Sequence, residues 1–156
     1  MKRGQELLPI IFDCDDVLLN WQEGFRRWMK SLRGIDLDPA GPKSWNMDEW
    51  VCQPAMPLVS RFNVSHTFGS LHPVAGAKEA VAALYAAGHN LHVVSACSDD
   101  PIVIRRREQN LDRVFGDVFT SITCVPLASS KADALKSMPR GIWVEDNVEH
   151  AIVGHL

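Results

Sequence analysis

The stretch IIFDCDDVLLN, residues 10–20, sets three aspartates between two apolar runs. Ile10, Ile11 and Phe12 precede Asp13, Asp15 and Asp16, and Val17, Leu18 and Leu19 follow them. A short apolar run without polar alternation reads as a strand buried on both faces, as in a parallel sheet. Leu7 to Phe12 is predicted as that strand, with Pro9 near its start, where proline is tolerated. Carboxylates crowded at the end of a buried strand repel one another, so the arrangement calls for positive charge nearby.

Working outward, Trp21, Phe25, Trp28, Met29 and Leu32 fall on one face of a helix, which Gly34 can end in a left-handed cap. Residues 35–73 hold Pro39, Pro42, Pro54, Pro57 and Pro73 among scattered aromatics, with no dominant period. They read as an irregular insert with short helices. The pattern then becomes regular. Gly76 to Ala87 is helical, and LHVVS (Leu91 to Ser95) is a strand. Asp100-Pro101 is an N-cap with proline at the first helical position, opening a helix through Arg107. Val118 to Ile122 is a third strand. Ser130 and Asp133 have the spacing of a capping box. Ile142 to Glu145 is a fourth strand, with a short turn or helix from Asn147. Strands alternating with helices predict an α/β fold, a Rossmann-like parallel sheet with helices on both faces.

In such sheets ligands gather at the carboxyl ends of the strands. The first strand delivers Asp13 and Asp15 there, the second Ser95, and the fourth Glu145 and Asp146. Lys131 lies at the start of the helix after the third strand. Four carboxylates with one ammonium still require a cation, and oxygen donors select a hard one such as Mg²⁺. Ser95 and Lys131 are then free to hold an anion, for which phosphate is the obvious candidate.

These residues resemble the haloacid dehalogenase-like (HAD) superfamily in its phosphatase branch. DCDDVL (Asp13 to Leu18) matches D-x-D-x-[TV]-[LV], LHVVS matches an apolar strand ending in Ser or Thr, Lys131 matches the third motif, and IWVED matches a strand ending in an acidic pair. The order of the four carries the resemblance; a single D-x-D would not. The resemblance implies that Asp13 is a nucleophile forming an aspartyl phosphate. It makes Asp15 the general acid and base. Mg²⁺ would be held by Asp13, the backbone carbonyl of Asp15, and Asp146, with Glu145 contacting it directly or through water. Ser95 and Lys131 would bind the phosphoryl oxygens. The resemblance also implies a core of residues 1–19 and 73–156, with residues 20–72 as a small helical cap inserted after the first strand. The position and size of that cap look similar to those of the 5'(3')-deoxyribonucleotidase group.

Three features depart from the pattern. His150 stands where many relatives carry a further aspartate, Asp16 stands where glycine is frequent, and ten residues follow Asp146, so the core is expected to be minimal or abbreviated at that end. Several residues read more simply as structure. Asp16 reads as a turn or cap residue, Arg105-Arg106-Arg107 as a solvated helix face, Cys14 and Cys97 as packing near the site, and His92 as a strand residue. Four of the five tryptophans (Trp21, Trp28, Trp45, Trp50) lie in the first 50 residues. They read first as the small core of the insert, and second as a lid in which one aromatic stacks on a substrate ring.

Composition narrows the function. The 156 residues are 46% apolar, enough for one domain with a real core. Sixteen basic against 19 acidic residues give a net charge of −3, which provides no footprint for a nucleic acid polymer or an anionic membrane. The start MKRGQELLPIIF lacks a long apolar region and a small-residue cleavage site, so a signal peptide is not expected. The four cysteines form no C-x-x-C pair, and a reducing cytoplasm fits best. The expected activity is Mg²⁺-dependent hydrolysis of a small phosphorylated metabolite, with a nucleotide as one candidate. Two alternatives are a catalytically weak HAD-like binding or regulatory protein, and a receiver-like phosphoacceptor. The motif order opposes the second, because a receiver's acceptor follows a middle strand and its lysine the last. Oligomeric state is not legible.

Overall fold

The computed structural model describes residues 6–155. Residues Met1 to Gln5, with the basic Lys2 and Arg3, on which the expectation of no signal peptide partly rests, lie outside them. Four parallel strands, β1 (Ile10–Phe12), β2 (Leu91–Ala96), β3 (Phe119–Val125) and β4 (Ile142–Val144), form one sheet in the order β3-β2-β1-β4. β1 is flanked on both sides: Phe12 pairs with Val93 of β2 and with Val144 of β4. Whatever follows Phe12 therefore emerges between the ends of two neighbours, and the Asp13 amide still donates to the Val144 carbonyl at 2.8 Å.

β1 is shorter than predicted. Leu7 and Leu8 are exposed, and Pro9, which has no N–H, contributes only its carbonyl, accepting from the Ile142 amide at 2.9 Å. β3 runs to Val125, following β2 as far as the Ala96–Val125 pair.

The helices are α1 (Trp21–Arg33), α2 (Met47–Val51), α3 (Met56–Asn63), α4 (Ala77–Ala86), α5 (Pro101–Phe115), α6 (Ala132–Lys136) and α7 (Val148–His155), with a 3₁₀ turn at Thr67–Ser70. Gly34 caps α1 in the left-handed conformation as expected, whereas Leu32, in its last turn, is exposed. Asp100 caps α5, accepting from the Ile102 amide at 2.8 Å, and α5 continues two turns past Arg107. The predicted capping box is displaced. Lys131 is the residue before α6 and supplies no side-chain cap, while Ser130 Oγ accepts from the Ala132 amide at 3.1 Å.

The insert opens and closes at one neck. Asn20 N–H donates to the His72 carbonyl at 2.7 Å, and Val74 N–H donates to that of Leu18 at 2.9 Å. Between them, Trp21, Phe25 and Trp28 of α1 pack with Phe62 of α3 and Phe68 of the 3₁₀ turn. A Cβ at Gly24 would collide with Leu71, so glycine is what lets this packing close. The aromatics share one apolar cluster with Ile10, Phe12, Leu91 and Val93 of the sheet. The inner half of the insert is thus continuous with the core of the sheet. No helix among the described residues is long and apolar enough to cross a membrane.

Candidate active site

Beyond β1 the chain folds into a tight loop. Leu18 and Leu19 N–H both donate to the Cys14 carbonyl, at 2.9 and 3.1 Å. Asp16 adopts φ = 61°, a left-handed conformation that aspartate tolerates better than most residues. Its Oδ1 accepts from the Gln22 amide at 3.1 Å, satisfying an otherwise orphaned donor at the start of α1. Asp16 is therefore the turn and cap residue expected, and its φ accounts for a position where glycine is frequent. Burial pushes its carboxyl up to about 7.

The loop leaves Asp13 buried and facing Lys131, whose Nζ donates to Asp13 Oδ1 at 2.6 Å and to Glu145 Oε2 at 3.0 Å. Glu145 Oε1 accepts the backbone amides of Asp146 (3.1 Å) and Asn147 (3.2 Å), fixing the turn after β4. His150 Nδ1 lies 3.7 Å from Glu145 Oε2. Residues 118 positions apart, Asp13 and Lys131, thus meet in one charged cluster.

Electrostatics follow from this crowding. Burial, with Glu145 adding to it, pushes the Asp13 carboxyl well above the usual carboxylate range, against the pull of Lys131. Asp146 is also raised, by burial and by Glu145. Burial disfavours the Glu145 carboxylate, but hydrogen bonds from Asp146, Asp13 and Lys131 and the lysine charge overcome this and hold it low. The Lys131 ammonium is strengthened in spite of burial, by Asp13 and Glu145. One lysine does not neutralise three carboxylates, and two of them retain protons more readily than usual.

Asp13, Glu145 and Asp146 each offer a carboxylate oxygen, and these lie within 4.8 Å of one another. An all-oxygen set at that spacing, with excess negative charge, fits a hard divalent cation such as Mg²⁺. Glu145 is the most committed of the three, with both oxygens already accepting hydrogen bonds.

A cavity of about 320 Å³ opens over the strand ends, lined by Asp13, Asp15, Lys131, Glu145 and Asp146 together with Trp45 from the insert. Five of the six predicted site residues therefore line one space. The sixth, Ser95, sits at the end of β2 with a buried Oγ that has no hydrogen-bond partner; the next residue, Ala96, lines the cavity instead. Trp45 is exposed at the mouth of the cavity, whereas Trp50 is partly buried, packs against Phe25 and donates its Nε1–H to the Asp38 carbonyl at 3.0 Å.

The basic triplet on α5 differs from expectation. Arg107 is fully buried, with Nη2 2.6 Å from Asp15 Oδ1. Its Nη1 donates to Cys14 Sγ at 2.9 Å, and its guanidinium lies 4.2 Å from the centre of the Phe68 ring. Arg106 donates to the Val64 carbonyl. The signal for Arg107 was present in helical phase: it shares a face with Val103, Asn110 and Leu111, all buried. Cys14 and Cys97 are buried, as packing residues near the site should be.

No family profile and no curated protein matches the sequence. Solved structures do resemble the fold. CbbY from Rhodobacter sphaeroides, solved in complex with phosphate, superposes with a TM-score of 0.56 over 96% of this chain and 83% of its own, at 16% identity. A protein assigned as a beta-phosphoglucomutase from Thermotoga maritima gives 0.56 over 96% and 82%, at 17% identity. One assigned as a phosphatase from Clostridium difficile gives 0.55 over 85% and 68%, at 17%. The chain has a HAD-like fold. In that fold the cavity occupies the carboxyl ends of the parallel strands, where a doubly wound sheet places its ligands.

Proposed function

We propose that this chain is a HAD-type, Mg²⁺-dependent phosphomonoester hydrolase working through an aspartyl phosphate on Asp13. The observation that carries the reading is the convergence of Asp13, Asp15, Lys131, Glu145 and Asp146 on one cavity from three separate parts of the chain. Lys131 holds Asp13 Oδ1, which leaves Oδ2 to attack phosphorus. As the Asp13–phosphorus bond forms, the ester P–O bond breaks and Asp15 donates a proton to the departing alkoxide. Asp15 then takes a proton from water, whose oxygen attacks phosphorus; the aspartyl bond breaks, and Asp13 and inorganic phosphate are released. Lys131 offsets the charge on the phosphoryl oxygens throughout. Mg²⁺, held by the carboxylates of Asp13 and Asp146 with the Asp15 carbonyl, would supply further charge neutralisation at phosphorus. Ser95, at the end of β2 with a buried, unpartnered Oγ behind the cavity lining, would reach the phosphoryl oxygens only by turning toward the cavity.

Metal dependence has a pH signature. Asp13 and Asp146 hold their protons to higher pH than ordinary carboxyls. Mg²⁺ must displace those protons, so its affinity should fall as pH drops below neutrality and rise with pH. Calorimetric titration of Mg²⁺ in buffers of different ionisation heat should show net proton release near neutrality. EDTA should silence hydrolysis and Mg²⁺ restore it; restoration by Zn²⁺ alone would contradict an all-oxygen site.

Substrate choice is assigned to the outer insert, where Trp45 and Met56 reach the cavity. A nucleotide, whose base could stack on Trp45, is the candidate the insert favours. Trp45→Ala should lower kcat/KM for substrates carrying a ring by about fivefold, in line with a stacking energy of ~1 kcal/mol. Hydrolysis of a small ester such as p-nitrophenyl phosphate should change much less. Equal losses on all substrates would remove Trp45 from recognition.

A further inference from the structure

We propose that Arg107 is the positioning residue for Asp15, holding its carboxylate in the direction proton transfer requires; this rests on the phosphatase reading above. Arg107 comes from α5, which contributes no residue to the cavity lining, and its side chain is wholly out of solvent. Burying a guanidinium costs several kcal/mol, and a buried ion pair is often no more stabilising than apolar residues of the same volume. Fold stability alone is therefore a weak reason for an arginine on a buried helix face shared with Val103 and Leu111.

What the arginine does is point. Its guanidinium lies against the Phe68 ring and donates through Nη1 to Cys14 Sγ, so two contacts set its direction. From there Nη2 reaches Asp15 Oδ1 at 2.6 Å. That oxygen is buried, while Asp15 as a whole is partly exposed and lines the cavity. With Oδ1 anchored, Oδ2 is left as the oxygen to carry the proton, on a residue that lines the cavity. Nη2 and Asp15 Oδ1 are in close contact without an aligned hydrogen bond, so charge attraction over this short distance supplies the anchor. Phe68 belongs to the insert and Cys14 to the loop after β1. Arg107 therefore links the aromatic cluster of the insert to the residue two positions after the nucleophile. Asn110, one turn on, strengthens the same junction, with its side chain bonded to both the N–H and the carbonyl of Leu71, at 2.9 and 3.0 Å.

The test compares leaving groups in the full-length chain with Mg²⁺. Protonation by Asp15 matters for an alkyl phosphate and little for p-nitrophenyl phosphate, whose leaving group departs as an anion. Because kcat/KM reports only the steps through leaving-group departure, Arg107→Met should lower it about 10²-fold on an alkyl phosphate, within the range general acid catalysis spans. On p-nitrophenyl phosphate it should change by less than about threefold, a smaller factor than any general acid contributes. In the Asp15→Asn background, Arg107→Met should add nothing on the alkyl ester, since a residue acting through Asp15 has nothing left to position. Arg107→Lys, which keeps the charge but not the planar fork, should show the same preference at smaller amplitude and serves if the methionine variant does not fold. Equal losses on both esters, or losses that multiply in the double variant, would overturn the proposal and make Arg107 a structural residue. A wild-type chain that hydrolyses neither ester would overturn the phosphatase reading itself, and is readily told apart from those results.

Discussion

Asp13→Asn should abolish hydrolysis of every phosphate ester while leaving the chain folded. An amide is a far weaker nucleophile than a carboxylate and a poorer ligand for a hard cation. No other carboxylate stands at the end of β1 with an oxygen free and a lysine at 2.6 Å to steer it. The fold should tolerate the change for a reason visible in the electrostatics. Asp13 is buried among like charges, and its carboxyl already resists ionisation. An asparagine of the same shape removes repulsion with Glu145 and Asp146 while keeping an oxygen that can accept from Lys131. The melting temperature should therefore hold or rise. Hydrolysis within tenfold of wild type would contradict the nucleophilic role.

Asp15→Asn should lower turnover by about 10²–10⁴-fold, the usual contribution of general acid–base catalysis. Mg²⁺ binding should persist, because the ligand assigned at this position is the backbone carbonyl. The variant should also melt earlier, since the buried Arg107 loses its ionic partner, and removing one member of such a pair leaves an uncompensated charge. Loss of Mg²⁺ affinity together with activity would contradict the assignment of the side chain to proton transfer.

The residues at the strand ends were legible in the sequence because a parallel sheet imposes their meeting. Each apolar run ends at the same edge, so Asp13, Glu145 and Asp146 converge once the strands are identified, and Lys131 joins them from the start of the helix after β3; Ser95 ends β2 at that edge too, but Ala96 lines the cavity in its place. Asp16 was legible as a turn, and its left-handed φ supplies the reason. Arg107 was misread because a run of three arginines looks solvated when read as composition. Read by helical phase, it falls between Val103 and Leu111 on the buried face of α5. The insert was the least legible part. With no period to follow, nothing in the sequence separated Trp45, at the mouth of the cavity, from Trp50, which packs on Phe25. Segment ends also moved for local reasons: Pro9 shortened β1, and Lys131 rather than Ser130 became the residue before α6.

The covalent intermediate on Asp13 is the central claim, and trapping it is the most direct test. A rapidly mixed reaction with labelled phosphate ester, quenched in acid within one turnover, should leave label on the protein in a hydroxylamine-sensitive, acyl-phosphate linkage. Mass spectrometry should place it on the peptide containing Asp13, and the label should be missing from Asp13→Asn. An active wild-type chain that carries no label under these conditions, or carries it on another residue, would contradict the account.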